Sequence, residues 1–204
     1  MKRYDDIMFT DAVKALQEAD GSADMYARSY GARTRALGPD ELAFIAARTS
    51  FYMATVSETG WPYIQHRGGP AGFLTVLDDH TLAFADYRGN KQHISEGNVA
   101  GDNRVSLFLM DYPRKARMKV QGRATFQNAC DTAALAEQVA VDGQGRVERV
   151  VTIAVEAFDW NCPQFITPRF DASEIAQLVG PELDKQAARI AALEAELAAV
   201  KGQG

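Results

Sequence analysis

From residue 51 to residue 158, apolar side chains come in short runs that alternate with polar ones and break at turn formers, and this period-two pattern predicts a predominantly β chain. Residues 51–56 and 63–67 bracket Glu58-Thr59-Gly60, the signal of a hairpin between two antiparallel strands. Residues 73–77 and a strand ending near Phe84 follow, separated by the turn Asp78-Asp79-His80. After a connection over 89–103 come 105–110 and then 117–124, where cationic and apolar side chains alternate, so that one face is buried and the other wet. The Val and Ile density of 147–158 marks a long central strand. About seven strands result, enough to close a barrel.

Helical periodicity flanks this β region. The first forty residues read as helical wrapping, with Thr10 or Asp11 capping a segment that carries Val13 and Leu16, followed by a polar stretch with Arg28, Arg33 and Arg35. Gly38-Pro39-Asp40-Glu41 starts a second helix, since Pro suits a first turn and acidic side chains suit the helix dipole. Leu42, Phe44 and Ile45 supply its buried side, and it should run to about Arg48. A helical insert is expected over 131–141. From 181 to 200 the composition shifts to Ala, Glu and Leu, and Leu183, Ile190, Leu193, Leu197 and Val200 fall at spacings of seven, three, four and three, as a and d positions do. That stripe calls for a partner subunit or, alternatively, for the chain's own barrel. The expected organisation is a wrapping segment over 1–38, a barrel domain over 39–170 and a helical appendage over 171–204.

Composition narrows the function. An apolar fraction of 47% is that of an ordinary globular protein. A net charge of −5 and a pI near 5.2 speak against nucleic acid as a partner but leave small anions open. Cys130 and Cys162 are far apart, and no Cys or His stands at metal-ligand spacing, so neither a disulfide framework nor a metal site is expected. The sparse cysteines suit a reducing cytoplasm, and residues 1–20, which alternate charged and apolar side chains, predict a soluble, unexported protein without a membrane partner.

The strongest candidate chemistry lies in residues 84–92, where an apolar strand stops at Gly89 and is followed by Asn90 and Lys91. Glycine lets the backbone approach a ligand, Asn90 offers an amide, Lys91 a compact charge, and a helical turn over 92–98 would aim free N–H groups at the loop. This is how a chain grips phosphate, although a solvated turn has the same sequence signature. Neither His66 nor His93 has a Ser, Cys or acidic neighbour at a recognisable catalytic spacing, and Cys162 before Pro163 reads as a small packed residue.

Over about residues 40–170 the chain resembles the FMN-binding split-barrel proteins related to pyridoxamine 5'-phosphate oxidase. Three matches carry the resemblance: Gln65-His66-Arg67-Gly68-Gly69 at a strand end; Phe84, Asn90, Lys91, His93 and Asn98 at the spacing of the family's phosphate loop and following helix; and Arg117 ahead of Gly122. Asn90 stands where the oxidases usually carry Arg. Asn161-Cys162-Pro163-Gln164-Phe165 is similar to the Asn-Cys-Pro signature of a flavin-nucleotide-binding branch, in which a His often takes the place of Phe165.

The resemblance implies an antiparallel split β-barrel with flanking helices, a homodimer with FMN in the groove between two barrels, and an FMN-dependent oxidoreductase acting on a small molecule. In it Asn90 and Lys91 hold the phosphate, Gln65 and Arg67 meet the ring, Ala85 and Asp86 line the ring with backbone groups, and Arg117 and Lys119 bring positive charge to the phosphate or ring edge. His66 is the candidate proton donor. Trp160 and Arg169 match a Trp and an Arg that come from the second subunit in the oxidases, at a spacing shorter by one. Vitamin B6 oxidation is not expected, because the oxidases end in a basic segment and this chain in an Ala-rich one. A flavin-storing or sensing module without turnover, or the same barrel holding deazaflavin or haem, are the alternatives.

Overall fold

The computed structural model describes residues 1–31, 36–160 and 163–202. Arg33, Arg35, Asn161 and Cys162 lie outside the described residues. The strands are β1 Ser50–Val56, β2 Pro62–Gly68, β3 Thr75–Asp78, β4 Thr81–Tyr87, β5 Arg104–Asp111, β6 Ala116–Asn128 and β7 Val147–Trp160. They form one antiparallel sheet in the order β2-β1-β5-β6-β7-β4-β3, the mainly β architecture expected from the alternation.

Alternation explains how the sheet closes over a core. Phe51, Met53, Leu82, Phe84, Leu107, Leu109, Met118, Val120 and Ile153 are fully buried in one cluster, and each side chain so buried contributes about 1.5–3 kcal/mol. The pairing of β6 with β7 runs from Met118 opposite Trp160 to Asn128 opposite Arg149 and shifts register at Gln121 and Gly122. Gly122 is required there, because a Cβ would lie 2.7 Å from the Ala154 carbonyl oxygen and 2.8 Å from the Ile153 side chain.

The N-terminal helices are α1 Tyr4–Met8, α2 Asp11–Ala19 and α3 Ala23–Gly31, the last of which includes Arg28. Thr10 caps α2 as expected, its Oγ1 accepting from the Val13 N–H, yet Leu16 is exposed and α2 buries nothing. A cluster of Tyr4, Phe9, Tyr26 and Tyr30 holds the segment together. Helix α4, Pro39–Ala46, ends before Arg48 because the Arg48 guanidinium turns inward. There it donates to the carbonyls of Phe44 and Met110 and, at 2.7 Å, to buried Asp111. Helix α5 spans Ile94–Gly101, and its buried Asn98 donates to Thr55 Oγ1 on β1 at 2.9 Å. Helix α6 spans Ala133–Gln138, shorter than the expected insert.

Tyr112–Lys115 and the residues from Phe165 onward form a second compact unit. Within it the Arg169 guanidinium lies 5.0 Å from the centre of the Tyr112 ring. Its helix α7, Ala172–Lys201, begins well before Pro181, since Asp171 accepts from the Glu174 N–H at 2.8 Å and Glu174 reaches back to the Asp171 N–H at 2.9 Å. No residue of α7 is buried. Among the described residues no helix is long and apolar enough to cross a membrane.

Candidate functional site

The site begins where β4 leaves the sheet. Beyond Tyr87 the chain turns through Gly89 and Asn90, whose Oδ1 accepts from the Gln92 N–H at 3.2 Å, and both Lys91 (φ 60°) and His93 (φ 54°) adopt the left-handed conformation. Two non-glycine residues in that region within three positions mark a loop held in a specific shape, at a cost of order 1 kcal/mol or more each. His93 is the N-cap of α5 without capping it by a side-chain hydrogen bond, so the first-turn N–H groups keep their capacity to bind an anion.

The opposite wall is β2. Its period-two alternation turns Tyr63, Gln65 and Arg67 toward the loop, and the Gln65 Oε1 accepts from Ser95 Oγ of α5 at 2.7 Å. Ile64 and His66 alternate with them, both exposed, and His66 packs edge-on against Tyr52 of β1 at 5.6 Å.

Between β2, β4, β7 and α5 runs a chain of alternating charges. Arg67 Nη1 donates to Asp86 Oδ1 at 2.7 Å, and the other oxygen of Asp86 accepts from Arg149 Nε and Nη2 at 2.9 and 2.8 Å. Arg149 Nη1 lies 3.3 Å from Glu96, which in turn meets His93 Nδ1 at 2.7 Å. The Asp86 side chain is only 9% exposed, and a carboxylate so buried is tolerated because two guanidinium groups flank it. Arg67 stacks near the Phe84 ring, at 5.4 Å, and its buried Nε has no hydrogen-bond partner among the described residues. Lys91 makes no ion pair among the described residues and projects from the loop with its charge uncompensated.

Two adjoining recesses share Arg67, Asp86, Tyr87 and Gly89. The first, about 90 Å³, is lined by the loop, β2 and Arg149; the second, about 270 Å³, is lined by Gly68, Gly69, Phe73, Phe84, Ala85 and Arg88, with His66 at its edge. Gly69 allows its wall, because a Cβ there would meet the Phe73 side chain at 2.7 Å.

Of the residues singled out in the sequence, Gln65, Arg67, Asp86, Asn90 and Lys91 line the first recess, and His66, Arg67, Ala85 and Asp86 the second. Arg117, Lys119, Trp160 and Arg169 line neither. Lys119 pairs with Asp159 at 3.2 Å and lies over the Tyr4 ring; Trp160 Nε1 donates to Glu41 at 2.7 Å and packs edge-on against Phe44. Arg117 stands opposite Met110 on β5 with its buried Nε unpartnered, and Arg169 stacks on Tyr112 in the second unit. Phe165 is 98% exposed.

Arg149, Glu96 and Ser95 were not foreseen. The cue for Arg149 was an aspartate in an apolar strand, which needs a cation from a neighbouring strand; only the register of β4 on β7, which sets Asp86 opposite Arg149, says which one.

A family model described as pyridoxamine 5'-phosphate oxidase matches residues 37–157, more than half of the chain. Among solved structures, HupZ of Group A Streptococcus is similar at 19% identity, with a TM-score of 0.51 over 65% of this chain and 98% of that one. A variant of HupZ aligns at 19% identity with a TM-score of 0.52 over 61% and 99%. A putative pyridoxamine 5'-phosphate oxidase from Lactobacillus delbrueckii aligns at 22% identity with a TM-score of 0.49 over 63% and 97%. No curated protein sequence matches the chain.

Proposed function

The chain belongs to the pyridoxamine 5'-phosphate oxidase family, and on that premise we propose that it is an FMN-binding oxidoreductase that works as a homodimer on a small-molecule substrate. The observation that carries this reading is Lys91, a cation without an ion pair among the described residues, on a strained turn at the start of α5, which no side chain caps. A dianionic phosphate seated there would gain a charge-assisted bond from Lys91 and donors from the first turn of α5, each charge-assisted bond contributing roughly 1.5–3 kcal/mol.

The remaining residues fit the rest of FMN. The unpartnered Nε of Arg67 is a buried donor that a ring oxygen or nitrogen would satisfy, and Phe84, Phe73 and Ala85 give the second recess an apolar wall for a flat ring. Asp86, clamped by Arg149, holds Arg67 in that orientation. Each recess is smaller than the roughly 300–1,000 Å³ of a complete ligand pocket, as suits a cofactor covered on its other side by a second copy. Arg117, Lys119, Trp160 and Arg169 would then act from the partner's side or not at all. If bound, FMN would supply hydride or electron transfer, and Arg67 would be the residue to offer it positive charge.

The exposed position of His66, alternating with Gln65 and Arg67, favours a second reading in which the protein binds flavin without turnover. The absorption spectrum of the purified protein tests the first claim: oxidised flavin bands, retained on gel filtration, are expected, and a protein that stays colourless after reconstitution with FMN overturns it. Reduction of the bound flavin by NADH or NADPH separates the two readings. His66→Ala should leave FMN binding intact and slow any turnover; unchanged turnover removes the proton-donor role.

A further inference from the structure

We infer that α7 is one strand of a parallel, in-register two-stranded coiled coil whose other strand is the α7 of a second copy of this chain. The helix runs for 30 residues without burying one of them, and Leu183, Ile190, Leu193, Leu197 and Val200 are all exposed on one stripe. A stripe of that size at a and d spacing needs a complementary surface, and the charges beside it identify which.

With Leu183, Ile190 and Leu197 at a positions, Leu193 and Val200 fall at d, Arg189 and Glu196 at g, and Glu194 and Lys201 at e. None of these four charged residues has an opposite charge three or four positions away on its own helix, so none is spent on intrahelical pairing. The one ion pair found within α7, Glu182 with Lys185 at 3.9 Å, lies away from them. In a parallel dimer each g position faces the e position five residues on in the partner: Arg189 faces Glu194 and Glu196 faces Lys201, while Glu182, also at g, faces the uncharged Ala187. Both pairs occur twice by symmetry. In the antiparallel arrangement that keeps the same apolar layers, only Arg189 against Glu196 remains complementary.

Gln186 fixes the same choice. It occupies the d position between Leu183 and Ile190, where its Nε2 donates to Glu182 Oε1 of its own helix at 3.3 Å; a parallel pair sets Gln186 against Gln186, so that the two amides can also meet, whereas the antiparallel pair sets it against the apolar Leu197. Pro181 falls at f, the position farthest from a partner. The inference shares a second copy with the reading above but does not require flavin.

The test uses the full chain. Leu193→Cys and, as control, Ala195→Cys at f are equilibrated in glutathione redox buffer, and the inter-chain disulfide is measured against the unmodified chain, which carries only its native cysteines. Leu193→Cys is expected to form the disulfide-linked dimer and Ala195→Cys to stay at background. Adding Arg189→Glu to Leu193→Cys should lower the dimer-forming equilibrium by about tenfold, since two attractive pairs become repulsive. A further Glu194→Arg should restore it, and Glu196→Arg should not. Background-level crosslinking of Leu193→Cys, equal crosslinking of Ala195→Cys, or rescue by Glu196→Arg overturns the inference. FMN content is read on the same samples: loss of crosslinking with full FMN sinks the coil alone, and crosslinking of a colourless protein sinks the flavin reading alone.

Discussion

Asp86 holds two guanidinium groups that would otherwise repel each other across a largely buried wall. Asp86→Asn should therefore cost about 3 kcal/mol in urea unfolding of the apoprotein, because it leaves Arg67 and Arg149 without their counter-charge. Lys91→Ala tests the other end of the site. Losing one charge-assisted bond should weaken FMN by about 2 kcal/mol, some thirtyfold by fluorescence titration, with little change in the apoprotein; a change under threefold returns the loop to an ordinary solvated turn. Asp102 offers a pH readout away from the site. Side-chain and backbone hydrogen bonds with Arg104 hold its carboxyl down at about 2, so its contribution to stability is present above its ordinary value near 3.8 and is lost as pH falls toward 2. Arg104→Ala should return its pKa toward 3.8 in an NMR titration. At this scale the sequence displayed Asn90 and Lys91 because a phosphate loop is local in the chain. It hid Arg149 because the partner of a buried charge is chosen by strand register, and it left Lys119, Trp160 and Arg169 among internal partners that no local pattern displays.

The strands were legible because alternation is imposed by burial on one face, and all seven fall within a few residues of the pattern's expectation. Their ends were less so. α4 stops early for a tertiary reason, the inward turn of Arg48 toward Asp111, which no helix-end signal announces. α7 starts well before the composition shift at 181 for a local reason that was readable, the reciprocal capping by Asp171 and Glu174. The register shift in β6 was invisible as well, although Gly122 marked its place. Gly122→Ala should cost about 1–3 kcal/mol in urea unfolding, since its methyl would sit 2.7 Å from the Ala154 oxygen and β7 must move to admit it. A neutral result there would mean that β6 and β7 slide freely, and the long pairing that brings Arg149 opposite Asp86 would not be fixed by packing.

For the whole molecule the decisive question is what covers the outer face of β1 and β2. Tyr52, Val56 and Ile64 are 40%, 40% and 65% exposed there, and Trp61, just before β2, is 76% exposed. Scattered apolar residues on a surface are ordinary, but these are neighbours through the register that pairs Tyr52 with His66 and Ala54 with Ile64. If a second barrel covers this face and completes the cofactor cleft, Ile64→Glu places two carboxylates in the interface and should yield a folded barrel that sediments as a monomer. FMN affinity should fall with it by tenfold or more, because the recesses of one chain enclose too little of the cofactor by themselves. The two measurements must move together. A monomer that binds FMN as tightly as before would place the whole site within one chain, and a dimer unaffected by the carboxylates would assign the contact to another surface, the α7 stripe among them.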